Sequence, residues 1–223
     1  MTRNIGLVQF PGSNCDMDVV DALQRHFNIK ATLVWHTEAT LPALDAVILP
    51  GGFSFGDYLR SGALASHSPV MAAVKGFAKK GGPVIGICNG FQILTESHLL
   101  PGALLRNAGR KFICEYVTLK AGTGDSAYQR TLQGRELKVP IAHGEGRYVI
   151  DSDGLKHLHD KGQVAFRYHG KNPNGSLDDI AGIVSDNGRV MGLMPHPERA
   201  TDAVMGGSED GLGILQAFLA SFL

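Results

Sequence analysis

Short apolar runs alternate with amphipathic segments through the first half of the chain. Each run is short, rich in β-branched residues and bounded by turn residues, as buried strands are. Apolar residues recur at helical spacing over residues 16–27 and 69–80, which predicts two amphipathic helices. Strands that alternate with helices predict a parallel sheet covered by helices on both faces. The runs are IGLVQF at 5–10, ATLVW at 31–35, AVILP at 46–50 and PVIGI at 83–87.

After about residue 110 the pattern changes to strand-like pieces. These pieces cover residues 112–119, 136–150, 163–168 and 179–194. The sequence DNGR at 186–189 predicts a tight hairpin, because Asn-Gly accepts the positive φ that the turn needs. A last amphipathic helix is predicted over residues 211–223. We expect an α/β fold with extra antiparallel strands in the C-terminal half, as a single domain over residues 1–223.

The stretch VIGICNGFQ, residues 84–92, has the pattern of a nucleophile elbow with Cys88 at its tip. A sharp strand-to-helix turn leaves no room for side chains two positions to either side, which explains glycine at Gly86 and Gly90. The thiol would lie at a helix N-terminus, where the helix dipole favours the thiolate. The alternative is a buried core cysteine that happens to lie between two glycines.

A second motif, VMGLMPHPER, places His196 and Glu198 after another apolar run. On an extended chain, residues two apart point to the same face. Pro195 and Pro197 disfavour a helix, so the carboxylate would hold the imidazole in one orientation. Together with the elbow this predicts a Cys88-His196-Glu198 triad. The alternative is a surface turn with a solvated histidine and glutamate.

The turn Pro50-Gly51-Gly52-Phe53 follows the third apolar run. Its glycines let the backbone approach closely, and an oxyanion needs donors near the nucleophile. We therefore expect the backbone N–H groups of Gly52 and Asn89 to form an oxyanion hole, with an ordinary tight turn as the alternative.

The three cysteines are widely spaced and predict no disulfide framework, which favours a reducing compartment. Cys15, just after the first strand, would lie near a functional surface, whereas Cys114 would pack within a strand. His157 and His159 have a spacing that a metal can use, but no third ligand is clustered with them. We expect no metal, and an exposed helix or turn there.

Charge and hydropathy exclude several classes of function. Lys and Arg total 21, as do Asp and Glu, so the basic surface of a nucleic-acid-binding protein is not expected. The N-terminus runs directly into a strand, and no apolar stretch approaches the length of a membrane span. These features predict a soluble cytoplasmic protein without a membrane contact.

The elbow, the Pro-Gly-Gly turn and the Pro-His-Pro-Glu motif occur in an order that resembles the class I, triad-type glutamine amidotransferases. FPGSNCD, PGGFSFGDYLRSGA, GICNGFQIL, AHGEGR, NPNGS and MGLMPHPER more narrowly resemble the glutaminase subunits of phosphoribosylformylglycinamidine synthase, an enzyme of purine synthesis. The resemblance covers nearly the whole chain. It implies a flavodoxin-like three-layer sandwich in which Cys88, His196 and Glu198 hydrolyse glutamine through a thioester.

Further roles follow from the resemblance alone. Gln92 is similar to a residue that contacts the substrate glutamine; alternatively, it satisfies backbone groups of the elbow. The expected partners are a large synthetase subunit, which would use ATP and magnesium on formylglycinamide ribonucleotide, and a very small bridging subunit. No cofactor is expected on this chain. The loop 143–147 would lie at the mouth of the site, at the partner contact, or at a solvated hairpin end, and NPNGS at 172–176 would be a turn.

Two other functions remain open at this stage. One is a stand-alone cysteine hydrolase of the same fold, although such relatives usually take a histidine directly after the cysteine, where this chain has Asn89. The other is a non-catalytic regulator, which would be marked by loss of Cys, His or Glu. All three residues are present.

Overall fold

The computed structural model describes residues 3–222, apart from the side chain of Met205. Within this range, nine strands form one mixed sheet in the order β2-β1-β3-β4-β11-β10-β9-β6-β7, and β5 pairs with β8 in a small separate sheet. The strands are β1 Ile5–Gln9, β2 Thr32–Trp35, β3 Ala46–Leu49, β4 Val84–Ile87, β5 Ala103–Leu105, β6 Ile113–Ala121, β7 Glu136–His143, β8 Arg147–Val149, β9 Val164–His169, β10 Ile180–Val184 and β11 Val190–Leu193.

Helices connect these strands, and the amphipathic pattern determines which face of each is buried. The first helix buries Val19, Ala22 and Leu23 and ends at Asn28, whose left-handed conformation lets its N–H reach the Leu23 carbonyl. No helix within residues 3–222 has the length and apolar character needed to cross a membrane. The helices are α1 Asp16–Phe27, α2 Ala63–Ser66, α3 Pro69–Lys79, α4 Asn89–Glu96, α5 Ala127–Leu132, α6 Ser152–Asp160, α7 Ala203–Gly206 and α8 Asp210–Ala220.

The parallel part of the sheet is the part that the sequence predicts best. Strands β2, β1, β3 and β4 are parallel neighbours, and every residue of β3 and β4 is buried. Continuous apolar runs are expected for strands that are covered on both faces. The expected α/β class, with parallel strands first and antiparallel strands later, is confirmed. The last predicted helix ends at Ala220, and residue 223 lies outside the described range.

The C-terminal half is antiparallel where the strand-like pieces predicted it. Strand β6 pairs with β7 and β9, and β10 pairs with β9 and β11. The DNGR turn closes with a hydrogen bond from the Gly188 N–H to the Ser185 carbonyl, 2.8 Å long. The expectation that Cys114 packs in the core was wrong, because it is exposed on β6. Side chains alternate between the two sheet faces, and Cys114 and Tyr116 share the open one.

The register at the centre of the sheet brings distant segments together. Strand β4 lies between β3 and β11 and is parallel to both. Leu49 is opposite Gly86, and Leu193 is opposite Ile87, so all three strands end at nearly the same level. The Pro-Gly-Gly turn, the elbow and the Pro-His-Pro-Glu segment therefore leave the sheet at one edge. In open α/β sheets this carboxyl edge is where ligands bind.

Candidate active site

Cys88 lies at a strained turn between β4 and α4. Its φ of 49° and ψ of −104° are unusual for a residue with a side chain. A Cβ on Gly86 would lie 2.6 Å from the Gly90 carbonyl oxygen, and a Cβ on Gly90 would overlap the Leu49 carbonyl oxygen. The Cys88 N–H donates to the Leu193 carbonyl at 2.8 Å. The two glycines therefore allow α4 to pack against β3 directly behind the thiol.

His196 and Glu198 form a buried pair. The Nδ1 atom of His196 lies 2.6 Å from Oε1 of Glu198, and both side chains are almost fully buried. The expected extended conformation was wrong: Pro197–Arg199 forms a 3-10 turn. Proline fits the first position of such a turn because its φ is already near the helical value and its missing N–H costs nothing there. The turn folds Glu198 back onto the imidazole.

The surroundings of His196 favour its charged form. Burial disfavours the imidazolium, but the Glu198 carboxylate and the thiols of Cys88 and Cys15 outweigh burial and raise the pKa of His196 well above its ordinary value. Its Nε2 atom has no hydrogen-bond partner among the described residues. A charged imidazole beside a cysteine stabilises the thiolate, the nucleophilic form.

The two predicted oxyanion donors lie on adjacent segments. Gly52 has a φ of +145°, and a Cβ there would lie 2.7 Å from the Gly12 carbonyl oxygen. Within residues 3–222 its N–H has no acceptor. Asn89 is the first residue of α4, where backbone N–H groups have no partner within the helix. The side-chain Oδ1 of Asn89 accepts from the Ser54 N–H at 3.3 Å, which ties the two segments together.

Gln92 is held by protein groups on both ends of its amide. Its Oε1 accepts from Nδ2 of Asn89 at 2.9 Å, and its Nε2 donates to the Glu145 carbonyl at 2.6 Å. Gln92 also lines the cavity that contains Cys88. These bonds connect the elbow helix to the loop 143–147, and contact of Gln92 with substrate stays a prediction.

A cavity of about 260 Å³ opens above the thiol. It carries both signs of charge, which suits an amino-acid zwitterion. Burial, reinforced by the charge of Glu145, raises the pKa of Asp57 to about 6 against the effect of its hydrogen bond with Ser61. The lining residues are Gly52, Phe53, Asp57, Ser61, Cys88, Gln92, Arg106, Arg110, Lys111, Phe112, Ala142, His143, Gly144 and Glu145.

Residues 143–145 of the loop 143–147 line one wall of this cavity, so the loop is not a solvated hairpin end. Asn107 Oδ1 accepts from the Gly146 N–H and lies 3.0 Å from His143 Nδ1, while Asn107 Nδ2 donates to the His143 carbonyl. Burial, together with the neighbouring charge of His196, lowers the pKa of His143 to about 4. His143 is therefore neutral at pH 7, with its Nδ1 proton directed at Asn107.

Asn174, within the NPNGS segment, supports the same loop. Its Nδ2 donates to the Gly146 carbonyl at 2.8 Å and to the Tyr168 hydroxyl at 3.1 Å. A turn is what the sequence predicts for this segment, and no sequence feature points to Asn107. No local pattern distinguishes a buried asparagine that holds a distant loop from one in a surface turn.

Of the remaining candidate residues, the two histidines of α6 lie away from the site and Cys15 lies within it. His157 and His159 lie on α6 and pair with different carboxylates, those of Asp186 and Asp178. Cys15, by contrast, is buried beside His196, so it lies near the site as expected from its position after the first strand, but inside the protein and not on its surface. The triad positions, the glycine turn and Cys15 thus converge on one sheet edge, and α6 contributes nothing to it.

The class of protein follows from comparison with known families. The sequence profile of the CobB/CobQ-like glutamine amidotransferase domain matches residues 3–209. The chain is 54% identical over 221 residues to phosphoribosylformylglycinamidine synthase subunit PurQ of Synechococcus sp. (strain JA-2-3B'a(2-13)), covering 97% of this chain and 96% of that protein. It is 51% identical to the PurQ subunit of Rubrobacter xylanophilus, with 97% of each chain covered. The chain therefore belongs to the PurQ family, the glutamine amidotransferase subunits of phosphoribosylformylglycinamidine synthase.

A solved structure agrees with the sequence comparison. A chain in the structure of PurLQS from Thermotoga maritima is 41% identical and superimposes with a TM-score of 0.87, over 98% of each chain. The similarity in fold therefore extends over the antiparallel half as well as the parallel half.

Proposed function

We propose that this chain hydrolyses glutamine through a thioester on Cys88 and delivers the ammonia to a synthetase subunit. The observation that carries the proposal is the strained Cys88 elbow, which lines a charged cavity and interacts with the imidazole of the buried His196-Glu198 pair. Family membership supplies the reaction class, and the geometry supports the role proposed for each residue.

In the first step, the Cys88 thiolate attacks the carboxamide carbon of glutamine. The carbonyl oxygen becomes negatively charged, and the N–H groups of Gly52 and Asn89 stabilise it. The C–N bond then breaks, and the His196 imidazolium gives its proton to the departing nitrogen, which leaves as ammonia. The product is a γ-glutamyl thioester on Cys88.

In the second step, water resolves the thioester. Neutral His196 takes a proton from the water, the oxygen attacks the thioester carbon, and Cys88 leaves as a thiolate with glutamate as the other product. Glu198 keeps the imidazole in one orientation in both steps, since its carboxylate is bonded to Nδ1 and leaves Nε2 facing the chemistry.

The cavity would hold the amino-acid end of glutamine. Asp57 and Glu145 suit the α-ammonium group, while Arg110 and Lys111 suit the α-carboxylate. Gln92 would contact the substrate from the base of the cavity, where its amide is fixed by two hydrogen bonds. A fixed amide donor or acceptor discriminates better than a mobile one, because no ordering entropy is lost on binding.

The partners follow from the assembly in which the related chain was solved. The name of that assembly, PurLQS, supports association of this chain with a large PurL-type subunit and a small PurS-type subunit. Ammonia released into water is mostly protonated to ammonium, which has no free lone pair, so direct transfer to the synthetase would keep the nitrogen nucleophilic. ATP and magnesium would act on the synthetase subunit, with formylglycinamide ribonucleotide as acceptor and no cofactor on this chain. The three free cysteines suit the cytoplasm.

The test is conversion of formylglycinamide ribonucleotide and ATP by the synthetase complex, with glutamine as the nitrogen source. Product should form only when this chain is present, and Cys88→Ala should abolish glutamine-dependent synthesis. Ammonium chloride should still support synthesis by the Cys88→Ala complex, because the elbow serves only glutamine hydrolysis.

Each other outcome has a distinct meaning. If Cys88→Ala abolished synthesis from both glutamine and ammonium, a role of Cys88 confined to glutamine hydrolysis would be contradicted. Release of glutamate without product would support glutamine hydrolysis but refute formylglycinamide ribonucleotide as the acceptor of the ammonia. Full glutamine-dependent synthesis by Cys88→Ala would refute the thioester itself.

A further inference from the structure

Cys15 is a second thiol in contact with the catalytic pair. It lies at the start of α1, at the end of the segment 10–15, and is almost fully buried. Its Sγ atom, a ring nitrogen of His196 and a carboxylate oxygen of Glu198 all lie within 4.8 Å of one another. The imidazole thus interacts with two thiols, and only Cys88 has the elbow geometry of a nucleophile.

The hydrogen bonds of Cys15 orient its sulfur. The thiol donates to Oδ1 of Asn14 at 3.4 Å, and the sulfur accepts from Nη2 of Arg199 at 3.3 Å. Arg199 is itself fixed by a bond from Nε to the Asp18 carboxylate at 2.9 Å. Because the proton points to Asn14, the sulfur lone pairs face Arg199 and the imidazole.

Packing leaves the imidazole no free space on this side. A Cβ on Gly51 would lie 2.7 Å from Cε1 of His196 and 3.1 Å from Sγ of Cys15. The Cys15 N–H also donates to the Gly51 carbonyl at 3.3 Å. The backbone at Gly51, the thiol and the ring therefore lie close together, and a void at Cys15 would let the ring tilt away from Cys88.

The same segment also holds the glycine turn. The Phe53 N–H donates to the Gly12 carbonyl at 2.9 Å, and the Phe55 N–H donates to the Pro11 carbonyl at 2.7 Å. One loop thus contacts both the proposed oxyanion segment and the triad histidine. The relative position of these two parts depends on residues 10–15.

We propose that Cys15 is a positioning residue of the triad, which holds the His196-Glu198 pair in line with Cys88 through its contacts with His196 and Arg199. This inference rests on the proposed function, since it requires His196 to act on Cys88. Cys15 acts through His196 and takes no part in bond making or breaking. A polarisable sulfur packs closely against the ring and stabilises its positive charge, which an alanine methyl group does not do.

The pH dependence has a defined sign. The charged and titratable groups near His196 are Glu198, Cys88 and Cys15, with His143 on β7, Arg199 on the 3-10 turn and Asp18 on α1. The contact with Cys15 raises the pKa of His196. Without it, the imidazolium is lost at lower pH, so the alkaline limb of activity should move to lower pH. A purely structural role would lower activity without moving that limb.

The experiment uses the complete synthetase complex with Cys15→Ala, Cys15→Ser and, as the matched control, Cys114→Ser at the exposed thiol. For Cys15→Ala we expect glutamine-dependent kcat to fall by about 10- to 100-fold, the cost of a misplaced catalytic group. The alkaline limb should shift down, while KM for glutamine and ammonia-dependent synthesis should change less than about twofold. Cys15→Ser should restore part of kcat, and Cys114→Ser should match the parent.

Two results would overturn the proposal. One is a Cys15→Ala complex with unchanged kcat and an unchanged pH profile. The other is a loss of kcat in both Cys15 variants with the alkaline limb unmoved, which would indicate packing alone. Ammonia-dependent synthesis checks folding and assembly in each sample. If Cys88→Ala, assayed alongside, retained glutamine-dependent activity, the proposed function would fail as well, and the two failures are thereby distinguished.

Discussion

The two halves of the sheet build their share of the site in different ways. On the parallel side, backbone geometry positions the site. Cys88 has a strained φ. Glycine is present at 52, 86 and 90, where a side chain would clash. On the antiparallel side, the cavity wall at 143–147 is held by side-chain amides, chiefly Asn107. A close backbone approach is lost completely when one side-chain atom is added between the two segments, whereas hydrogen bonds are lost one at a time. The two halves should therefore respond differently to substitution.

The largest displacement of the site is expected from Gly90→Ala on the parallel side. The new Cβ would overlap the Leu49 carbonyl oxygen, so α4 must move and carry Cys88 and Asn89 with it. We expect glutamine-dependent turnover to fall by more than about 100-fold, since displacements of about 1 Å have that effect. The matched control is Gly76→Ala within α3, where an added Cβ meets nothing within 4 Å. That variant should be fully active and about 1 kcal/mol more stable, because alanine favours a helix. A normally active Gly90→Ala enzyme would refute the steric account.

The second effect concerns the His196-Glu198 pair. Glu198→Gln should lower glutamine-dependent kcat by about 10²- to 10⁴-fold, as loss of the carboxylate in other triads does. The Glu198 charge raises the pKa of His196, so without it the imidazolium is lost at lower pH and the alkaline limb of kcat should move down. Steady-state rates across pH measure both changes. Glu209→Gln, at an exposed carboxylate, serves as the control. An unshifted limb in Glu198→Gln would show that the carboxylate does not govern the charge of His196.

On the antiparallel side we expect a graded response. Asn107→Ala removes the bonds to His143 and Gly146, so the cavity wall should loosen while the thiol stays in place. KM for glutamine should rise about tenfold with a smaller change in kcat, because three hydrogen bonds of about 1 kcal/mol each are lost and only part of that free energy bears on substrate binding. Asn174→Ala, which frees Gly146 from the other side, should act in the same direction. If kcat rather than KM collapsed, the contrast between the two halves would be wrong.

The smallest effect is on stability. The pKa of Asp57 is raised to about 6 by burial, so the folded protein favours the protonated carboxyl. The contribution of Asp57 to stability should therefore be greatest below the unfolded pKa of about 4 and should be lost as pH rises through about 6. Asp57→Asn should be about 1 kcal/mol more stable than the parent at pH 7, a modest gain because solvent screens a partly exposed group, and equal to it at pH 4. Thermal melting at the two pH values tests this, with exposed Asp125→Asn as the control. A gain of the same size at both pH values would exclude ionisation as its cause.

The contrast also explains what the sequence could predict. Glycines at 86 and 90 indicate a turn with no room for side chains, and apolar runs indicate buried strands. The elbow and the parallel core were therefore predictable. The 3-10 turn at Pro197–Arg199 was not, since the same prolines suit an extended chain. The exposure of Cys114 depends on which face of β6 is covered. The roles of Asn107 and Asn174 depend on partners more than 25 residues away, and no local pattern contains that information.

The most direct test of the central claim is detection of the covalent intermediate. The synthetase complex would be mixed with glutamine, quenched in acid within the first turnovers, and this chain analysed by intact-mass and peptide mass spectrometry. We predict a γ-glutamyl adduct on the peptide that contains Cys88, absent from Cys88→Ala and absent from the peptides of Cys15 and Cys114. Glutamate release with the adduct on Cys15 or Cys114, or undiminished glutamate release by Cys88→Ala, would contradict the account.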